Sequence, residues 1–571
     1  MCIRDSIEEL TKSVLESGVP AVGIPTTLHD SLMARLDRLS SVRRVAQIGS
    51  AIGREFPYAL LRTVCRIPED ELRSALSRLV ASELIFQRGA PPDAVYSFKH
   101  ALVQDAAHSS LLRATRQQLH AEIAQALEAQ SPELTETQPE LFAQHYAEGG
   151  LIGKSVVYWA KAGHRSVARS AMTEAVAQFQ KGLDQLALLP DAPERRRYEL
   201  EFLNSLGWAL RFAKGLAAPE TGSVFARALK IWEQLGSPSE FFEVPWRLSL
   251  HYKNRGQLDL AMRLDENLLR LSLERNASVG LNIAHRSAGR TLWLAGKFAP
   301  SRSHLEEWLA ANQTASLFDR SSIQGCLGIV LFCLGLPNQA LAHSNAVIAA
   351  ARRLYDPASF AQTLSIGIRL LLLVGDNAAV DEWAGQLVAV ATEQGFSALR
   401  GEGTAYLGFA TVKKGNVAAG LSLLRSGMTA YHATGVEAQM PHNIALLVEA
   451  CGIAGETDEA RILLDDALQK VETTGEQWFT AELNRQKGEL LRRQGYSKAA
   501  EGFYGKALSI AKKQEAKLWE LRAAVSLARL RRDQGRRVEA HDFLAPVYGW
   551  FTEGFAMPDL KEAKAVLDEL T

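Results

Sequence analysis

Gly153-Lys154-Ser155 comes nearest to phosphate-binding chemistry in this chain. A phosphate loop of the form G-x-x-x-x-G-K-[ST] needs an upstream glycine, so that successive backbone amides can wrap the anion. Glu148 stands at that position, and Leu141–Ala147 before it is helical in pattern rather than a strand. The tripeptide therefore reads as a turn between helices. Gly401-x-Gly403 lacks the third glycine of a dinucleotide fingerprint and lies inside a repeat. His100, His108 and His120 are the densest histidines, but no two have the i,i+4 separation that puts two metal ligands on one helix face. The five cysteines, Cys2, Cys65, Cys326, Cys333 and Cys451, are scattered and contain no CxxC pair. They read as reduced thiols rather than as a disulfide framework or a zinc site. Arg529, Arg531, Arg532, Arg536 and Arg537 crowd one helix end, where cations offset the helix dipole and stay solvated. No serine–histidine–acid or cysteine–histidine set is suggested by spacing, so no catalytic residue and no metal or cofactor site is assigned within the chain.

The totals agree with a binding protein more than with a nucleic-acid or membrane partner. Of 571 residues 47% are hydrophobic and 22% charged, a composition of folded chains. Lys plus Arg and Asp plus Glu both number 64, so no global charge draws the chain to nucleic acid or an anionic bilayer. The most apolar run, Leu370–Val374, is too short to cross a membrane and is closed by Gly375. The start is charged at Arg4 and carries no secretory pattern, which points to the cytoplasm.

Self-similarity dominates the rest. Gly215, Gly256, Gly296, Gly335, Gly375, Gly415, Gly455, Gly495 and Gly535 recur at intervals of about 40 residues, the length of a helical-hairpin repeat. Five positions after the glycine a small residue recurs, as at Ala261, Ser301, Ala340, Ala460, Ala500 and Ala540. Four before it stand Tyr252, Leu292, Leu331, Leu371, Cys451 and Leu491; eight before it, Leu248, Leu327, Leu407, Leu447 and Leu527. Such offsets lie on one helical face, so each unit is helix, tight turn, helix. Glycine suits the turn because it accepts left-handed backbone angles, and the small residues let two helices approach. One hairpin cannot bury its apolar face alone, whereas a stack can. Leu327-Gly328, Leu407-Gly408, Tyr252 and the alanines after the turn resemble the tetratricopeptide pattern, lengthened to about 40 residues per unit. A further hairpin is expected from Tyr158–Ala160 through Ala175–Ala177, with a loop over Leu188–Arg197.

Residues 28–128 lack this period. An amphipathic helix at Leu32, Leu36 and Leu39 is followed by helices over Val42–Ile52, Pro57–Val64 and Glu69–Ala81. Leu84–Gln87 and Val95–Phe98 read as two short strands around a turn-rich Gly89–Asp93. Helices followed by a small hairpin make a winged-helix plan, and one further helix from His100 carries Leu102, Leu111, Leu112, Leu119 and Leu127. Its recognition helix would offer Arg73 and Arg78 but also Glu69, Asp70 and Glu71, which argues against DNA.

"IPTTLHDSLMARLDRL" at 24–39, "AQIGSAIGREF" at 46–56, "FKHALVQDAA" at 98–107 and "RQQLHAEIAQALE" at 116–128 resemble the region after the nucleotide-binding core of bacterial signalling ATPases. In that family an ATPase module precedes a winged helix and a tetratricopeptide-like array, often behind a class III adenylate/guanylate cyclase domain. The closing stretch at 548–570 resembles the natural end of the cyclase-associated members. The resemblance implies that residues 7–27 are the end of the ATPase lid, 28–128 the winged helix and 129–571 the repeat domain. It also implies that the module binding ATP or ADP with magnesium lies upstream. Met1–Ser6, "MCIRDS", resembles a translated sequencing adapter and is set aside. In this family a winged-helix histidine can touch the β-phosphate of bound ADP, and "FKHAL" places His100 in that role; the residues alone favour a histidine that caps or packs at a helix start.

The sequence thus predicts an all-α protein, a small winged-helix domain followed by an α-solenoid. Its expected function is that of a non-catalytic sensor or scaffold binding a protein or peptide, with an upstream ATPase module in cis. Part of an ATPase-type transcriptional regulator and a freestanding repeat adaptor are the other readings. The first of these calls for a terminal helix-turn-helix, and no such pattern is found.

Overall fold

The computed structural model describes residues 40–571. The expectations for Met1–Ser6, for the lid segment 7–27 and for the helix at Leu32, Leu36 and Leu39 lie outside the described residues. The chain divides into two compact units, one ending at Ala209 and one running from Leu210 to Thr571.

In the first unit Ser40–Ile52, Tyr58–Cys65 and Glu69–Ala81 are helices, close to the bounds their periodicity suggests. Three short strands, β1 (Glu55–Pro57), β2 (Ile85–Arg88) and β3 (Val95–Phe98), form an antiparallel sheet in the order β1-β3-β2. Ile85 faces Phe98 and Arg88 faces Val95, so the foreseen hairpin is present with its first strand one residue later. β1 was not foreseen, because three residues ending in proline carry no alternation to read. It pairs Phe56 with Tyr96, and the Phe56 ring lies 5.4 Å from that of Phe98. After His100 the single expected helix is two, Ala101–Ser109 and Arg113–Gln130. They break at Ser110–Leu112, and Leu112 is exposed rather than inward-facing. The hairpin expected around Tyr158 and Ala175 is the helix pair Ile152–Ala168 and Met172–Leu186. The loop predicted to Arg197 ends earlier, at Pro193, which opens the helix Pro193–Ala213. Proline is suited to the first helical position, where no amide is needed, so here it marks a start rather than a gap.

The second unit is a succession of helical hairpins. The glycines read from the sequence hold positive φ, as at Gly335 (84°) and Gly375 (81°). At Gly375 the chain reverses with the Asp376 amide donating to the Leu371 carbonyl (3.1 Å), which satisfies a group the helix end would otherwise expose. Ala261, Ser301, Ala340, Ala460, Ala500 and Ala540 are all buried, as close helix packing requires. A second series of left-handed turns falls midway between the first: Gly236, Asn276, Gly395, Gly435, Gly475 and Glu515. Asparagine and glutamate at two of these sites hide the series from a search for glycine.

The two helices of a hairpin are buried differently. In Thr457–Thr474 only one face is covered, through Ala460, Leu464, Ala467 and Val471. The helices Leu317–Cys333, Pro357–Val374 and Lys517–Asp533 are buried on most of their surface. Winding of the array covers them. The Glu437 amide donates to the Asn254 carbonyl (2.7 Å) and the Gln477 amide to the Leu294 carbonyl (2.8 Å), joining turns far apart in the chain. Trp293 meets Trp478 with ring centroids 5.5 Å apart, and Phe332 meets Trp519 at 6.1 Å. Pro357–Val374 is long and apolar enough, by length and composition, to cross a bilayer, so the apolar stretch is wider than Leu370–Val374. Most of it is buried core, and Arg369 within it pairs with Glu402 (2.6 Å).

Closest of all is the approach of Ser397–Lys413 to Val417–His432. A Cβ on Gly408 would stand 2.4 Å from the Leu424 nitrogen, and one on Gly427 2.4 Å from the Ala405 nitrogen. Backbone cannot yield as a side chain can, so these glycines are required by contact. Gly427→Val should destabilise the second unit by about 1–3 kcal/mol, the cost of overpacking. Gly502→Ala, on a helix face with nothing near its Cβ, should instead stabilise it by about 0.5–1 kcal/mol. Urea unfolding of the two variants reads both signs.

Candidate functional site

Inside the second unit a cavity of about 560 Å³ is lined by consecutive first helices of the hairpins. Its walls carry carboxylates and cations in partnered sets. Arg485 pairs with Glu482 (2.5 Å), Arg493 with Glu489 (3.2 Å), Arg522 with Asp559 (2.6 Å) and Arg529 with Glu562 (2.5 Å), while Lys413 pairs with Glu449. The pattern arises because each first helix presents the same face inward, so polar positions on that face stack from repeat to repeat. Burial would raise the Glu489 carboxyl, but hydrogen bonds from Arg492, Tyr504 and Arg493 hold it down at about 2. Burial likewise opposes ionisation of Glu482, and Arg485 with Arg522 keeps it below the usual carboxylate range. Both carboxylates are thus ionised at neutral pH.

His442, in the lining of this cavity, lies against Trp478 and Phe479, with ring centroids 5.3 and 5.0 Å away. It is 1% exposed, and its Nδ1 has no hydrogen-bond partner among the described residues. Burial, aided by Arg369, pushes it down to about 3, so the ring is neutral. Gln486 also lines the cavity and leaves Oε1 unpaired. Buried polar atoms are ordinarily satisfied, so two unpaired ones on one wall mark a place where a ligand or water would add bonds.

The residues singled out by sequence fall elsewhere. Gly153, Lys154 and Ser155 lie in the first turn of Ile152–Ala168, not between helices. Ser155 donates to the Ala143 carbonyl (2.8 Å), and the Lys154 ammonium sits over the Tyr146 ring, so neither awaits a phosphate. Gly401 belongs to the close helix contact described above, where its Cβ would meet the Tyr431 nitrogen at 2.6 Å. His100 immediately precedes the helix Ala101–Ser109, its carbonyl accepting from the Val103 amide (3.0 Å). The five arginines near the end all meet acceptors: Arg529 reaches Glu562, Arg531 and Arg536 reach Glu501 and Glu539, Arg532 reaches Asp533, and Arg537 donates to the Glu569 carbonyl. Cys65, Cys326, Cys333 and Cys451 are buried free thiols. Cys451 gathers with Glu456 and Glu459. Arg425 already holds both carboxylates, and burial pushes the thiol up to about 12, which leaves it protonated and a poor metal ligand.

One cluster was missed. His108 and His120 are on different helices, and the fold places their Nε2 atoms 3.4 Å apart; His120 Nδ1 lies 2.9 Å from His145 Nδ1. Separation along a single helix could not reveal this. His120 uses both ring nitrogens towards different neighbours, so the three form a chain of rings rather than a cage for one ion.

No family model matches the chain. An uncharacterized protein of Rhizobium meliloti (strain 1021) is 23% identical over 518 residues, covering 87% of this chain and 49% of that relative. The chain therefore spans about half the length of this curated relative. Among solved structures, a Rap protein complexed with competence and sporulation factor has a TM-score of 0.48 at 13% identity, covering 63% of this chain and 98% of that one. Human IFIT1 with a capped RNA has 0.39 at 16%, over 73% and 90%. A signal transduction ATPase with numerous domains and a tetratricopeptide-repeat sensor, from Pyrococcus horikoshii, has 0.30 at 12%, over 98% and 69%. These are likenesses among helical-repeat proteins and extend to nothing finer than fold.

The histidine chain has a measurable consequence. Burial holds His120 and His145 down to about 4, helped by the neighbouring ring (His108 beside His120, His120 beside His145), and burial with Arg116 lowers His108 against the pull of Glu148 and Asp105. Folded, these rings bind fewer protons than the unfolded chain between about pH 6.5 and 4, so stability is present above that window and is lost as pH falls through it. Hydrogen exchange over Arg113–Glu148 should accelerate, corrected for intrinsic rate, as pH drops from 6.5 towards 4. His145→Gln should flatten that trend; an equally steep trend in the variant would assign it to other groups.

Proposed function

We propose that this chain is the non-catalytic sensor and scaffold portion of a signalling ATPase, of the sort linked to cyclic-nucleotide synthesis, and that it binds a protein or peptide segment inside its repeat array. The observation that carries the binding role is the cavity of about 560 Å³ with charge-paired walls and the unpaired buried atoms of His442 and Gln486. A peptide offers what such walls need: backbone donors and acceptors at regular spacing, with apolar side chains for the lining at Leu446, Phe479 and Leu490. The link to an ATPase rests on the resemblance of residues 24–128 and 548–570. On this reading residues 28–128 are a winged helix that packs on an upstream module, 129–571 are the repeat sensor, and the site of action is the cytoplasm. His100 would touch the β-phosphate of ADP held by that module, which would also supply ATP and magnesium binding. Engagement of a partner then shifts the packing of the winged helix, to the extent that the partner binds one state better than the other.

Two titrations test this. ATP and ADP titrated into the 571-residue chain should give no saturable heat, since the phosphate-binding elements are assigned upstream. Peptides selected from a random displayed library on this chain should lose binding to Gly452→Trp, which fills the cavity wall. Saturable nucleotide binding, or peptides indifferent to Gly452→Trp, would overturn the reading.

A further inference from the structure

The hairpin of Ser278–Leu294 and Phe298–Ala311, joined by the turn at Gly296, contributes nothing to the lining of the 560 Å³ cavity and gathers chemistry of another kind. His285 on its first helix and His304 on its second bring their Nδ1 atoms to 3.0 Å, with ring centroids 4.9 Å apart. Glu307 follows His304 by three positions, so it leaves the same face of the helix. Its Oε2 lies 3.2 Å from the same His285 Nδ1, while Ser303 donates to Oε1 (3.0 Å). Among the described residues no lysine or arginine pairs with Glu307.

The protons do not match these acceptors. A neutral imidazole carries a single N–H. If His285 Nδ1 holds it, His304 Nδ1 and Glu307 compete for one proton. If His304 Nδ1 holds it, the Glu307 carboxylate faces a bare lone pair on His285. Charging His304 would relieve this, but burial, with His285 beside it, lowers that ring against the pull of Glu307 and Asp265. One divalent cation would satisfy all three electron-rich atoms together, with both rings carrying their proton on Nε2.

We propose that His285, His304 and Glu307 hold a divalent transition-metal ion, zinc before others, at the joint of this hairpin. Two imidazoles and a carboxylate are a zinc donor set, and bonds of about 2.0–2.1 Å in tetrahedral geometry set ligand atoms about 3.3 Å apart. The two contacts at His285 Nδ1 stand close to that spacing. The Glu307 side chain is 58% exposed, so it turns onto the ion without disturbing the core, and water completes the coordination. Imidazole donors favour zinc, nickel or copper and disfavour magnesium and calcium. The set of Cys451, Glu456 and Glu459 differs in the decisive respect, since Arg425 already occupies its carboxylates. The ion would clamp the helix that ends at Leu294, whose carbonyl accepts the Gln477 amide, and so would stabilise the folded array by mass action. The site stands apart from the peptide reading and holds or fails without it.

The test uses the whole 571-residue chain, stripped with a chelator and dialysed against zinc, then assayed for bound metal and for thermal melting. One zinc should be retained per chain, and the melting temperature should rise with zinc but not with magnesium. Cobalt(II), titrated in its place, should give visible bands without the near-ultraviolet band of a thiolate ligand. Glu307→Gln should weaken zinc binding by about tenfold or more, because losing even an outer partner of a ligand costs about that much. His304→Ala should abolish it. Should His304→Ala fold poorly, the exposed position of Glu307→Gln keeps the measurement decisive. A chain that retains no zinc, equal stabilisation by magnesium, a thiolate–cobalt band pointing to Cys451, or unchanged zinc affinity in Glu307→Gln would each overturn the proposal.

Discussion

Several hairpins of the second unit, among them those opened by Leu317–Cys333, Pro357–Val374 and Lys517–Asp533, begin with a helix that is apolar on more faces than one neighbouring helix can cover, and the remaining features follow from how that surface leaves water. The second helix of the hairpin covers one side, and the preceding and following hairpins cover another. What is left is covered by the array winding until Asn254 meets Glu437 and Leu294 meets Gln477. Apolar burial contributes about 25 cal/mol per Å², which makes helices such as Leu317–Cys333 and Pro357–Val374 the main source of cohesion. Left-handed turns such as those at Gly335, Gly375 and Gly395 join successive helices along this winding.

Winding also decides where charge can sit. Polar positions on the inward faces cannot reach bulk water, so they answer one another. Asp265 accepts from Ser249 (2.7 Å), Ser287 (2.6 Å) and Thr291, and pairs with Lys253 (3.3 Å), tying three helices at one point. Glu476 accepts the Gln439 amide (2.9 Å) and the Trp478 indole N–H (2.9 Å), while burial raises it to about 7. Buried ions of this kind add little net stability, because desolvation offsets attraction. Their contribution is register: a helix slid by one turn would strand a charge. The cavity with paired walls follows from the same rule, its charges matched within the chain.

The repeat was legible because the turn demands a backbone that one residue type supplies best, and Gly335 or Gly375 announces it at fixed intervals. The helix Glu69–Ala81 and the strand Val95–Phe98 were legible for a similar reason, since local pattern and local structure coincide there. Where other residues take the same backbone, as Asn276 and Glu515 do, the signal vanished. β1 was silent because its pairing is made with residues forty positions away rather than within its own sequence. The sites were the least legible part. His442 and Gln486, or His120 and His145, share no motif; each set exists only once distant helices have been laid side by side.

An array of hairpins is usually close to one-dimensional, each unit touching its neighbours, and such arrays can assemble from any point outward. The hydrogen bonds from Glu437 to Asn254 and from Gln477 to Leu294 remove that freedom. The Leu294 carbonyl has no partner until much of the remaining chain has emerged and folded, so native contacts here span long stretches of sequence. High contact order slows folding, because loop entropy is lost before the contact rewards it. During synthesis the early hairpins must therefore wait, with their most apolar helices partly uncovered, for segments not yet made.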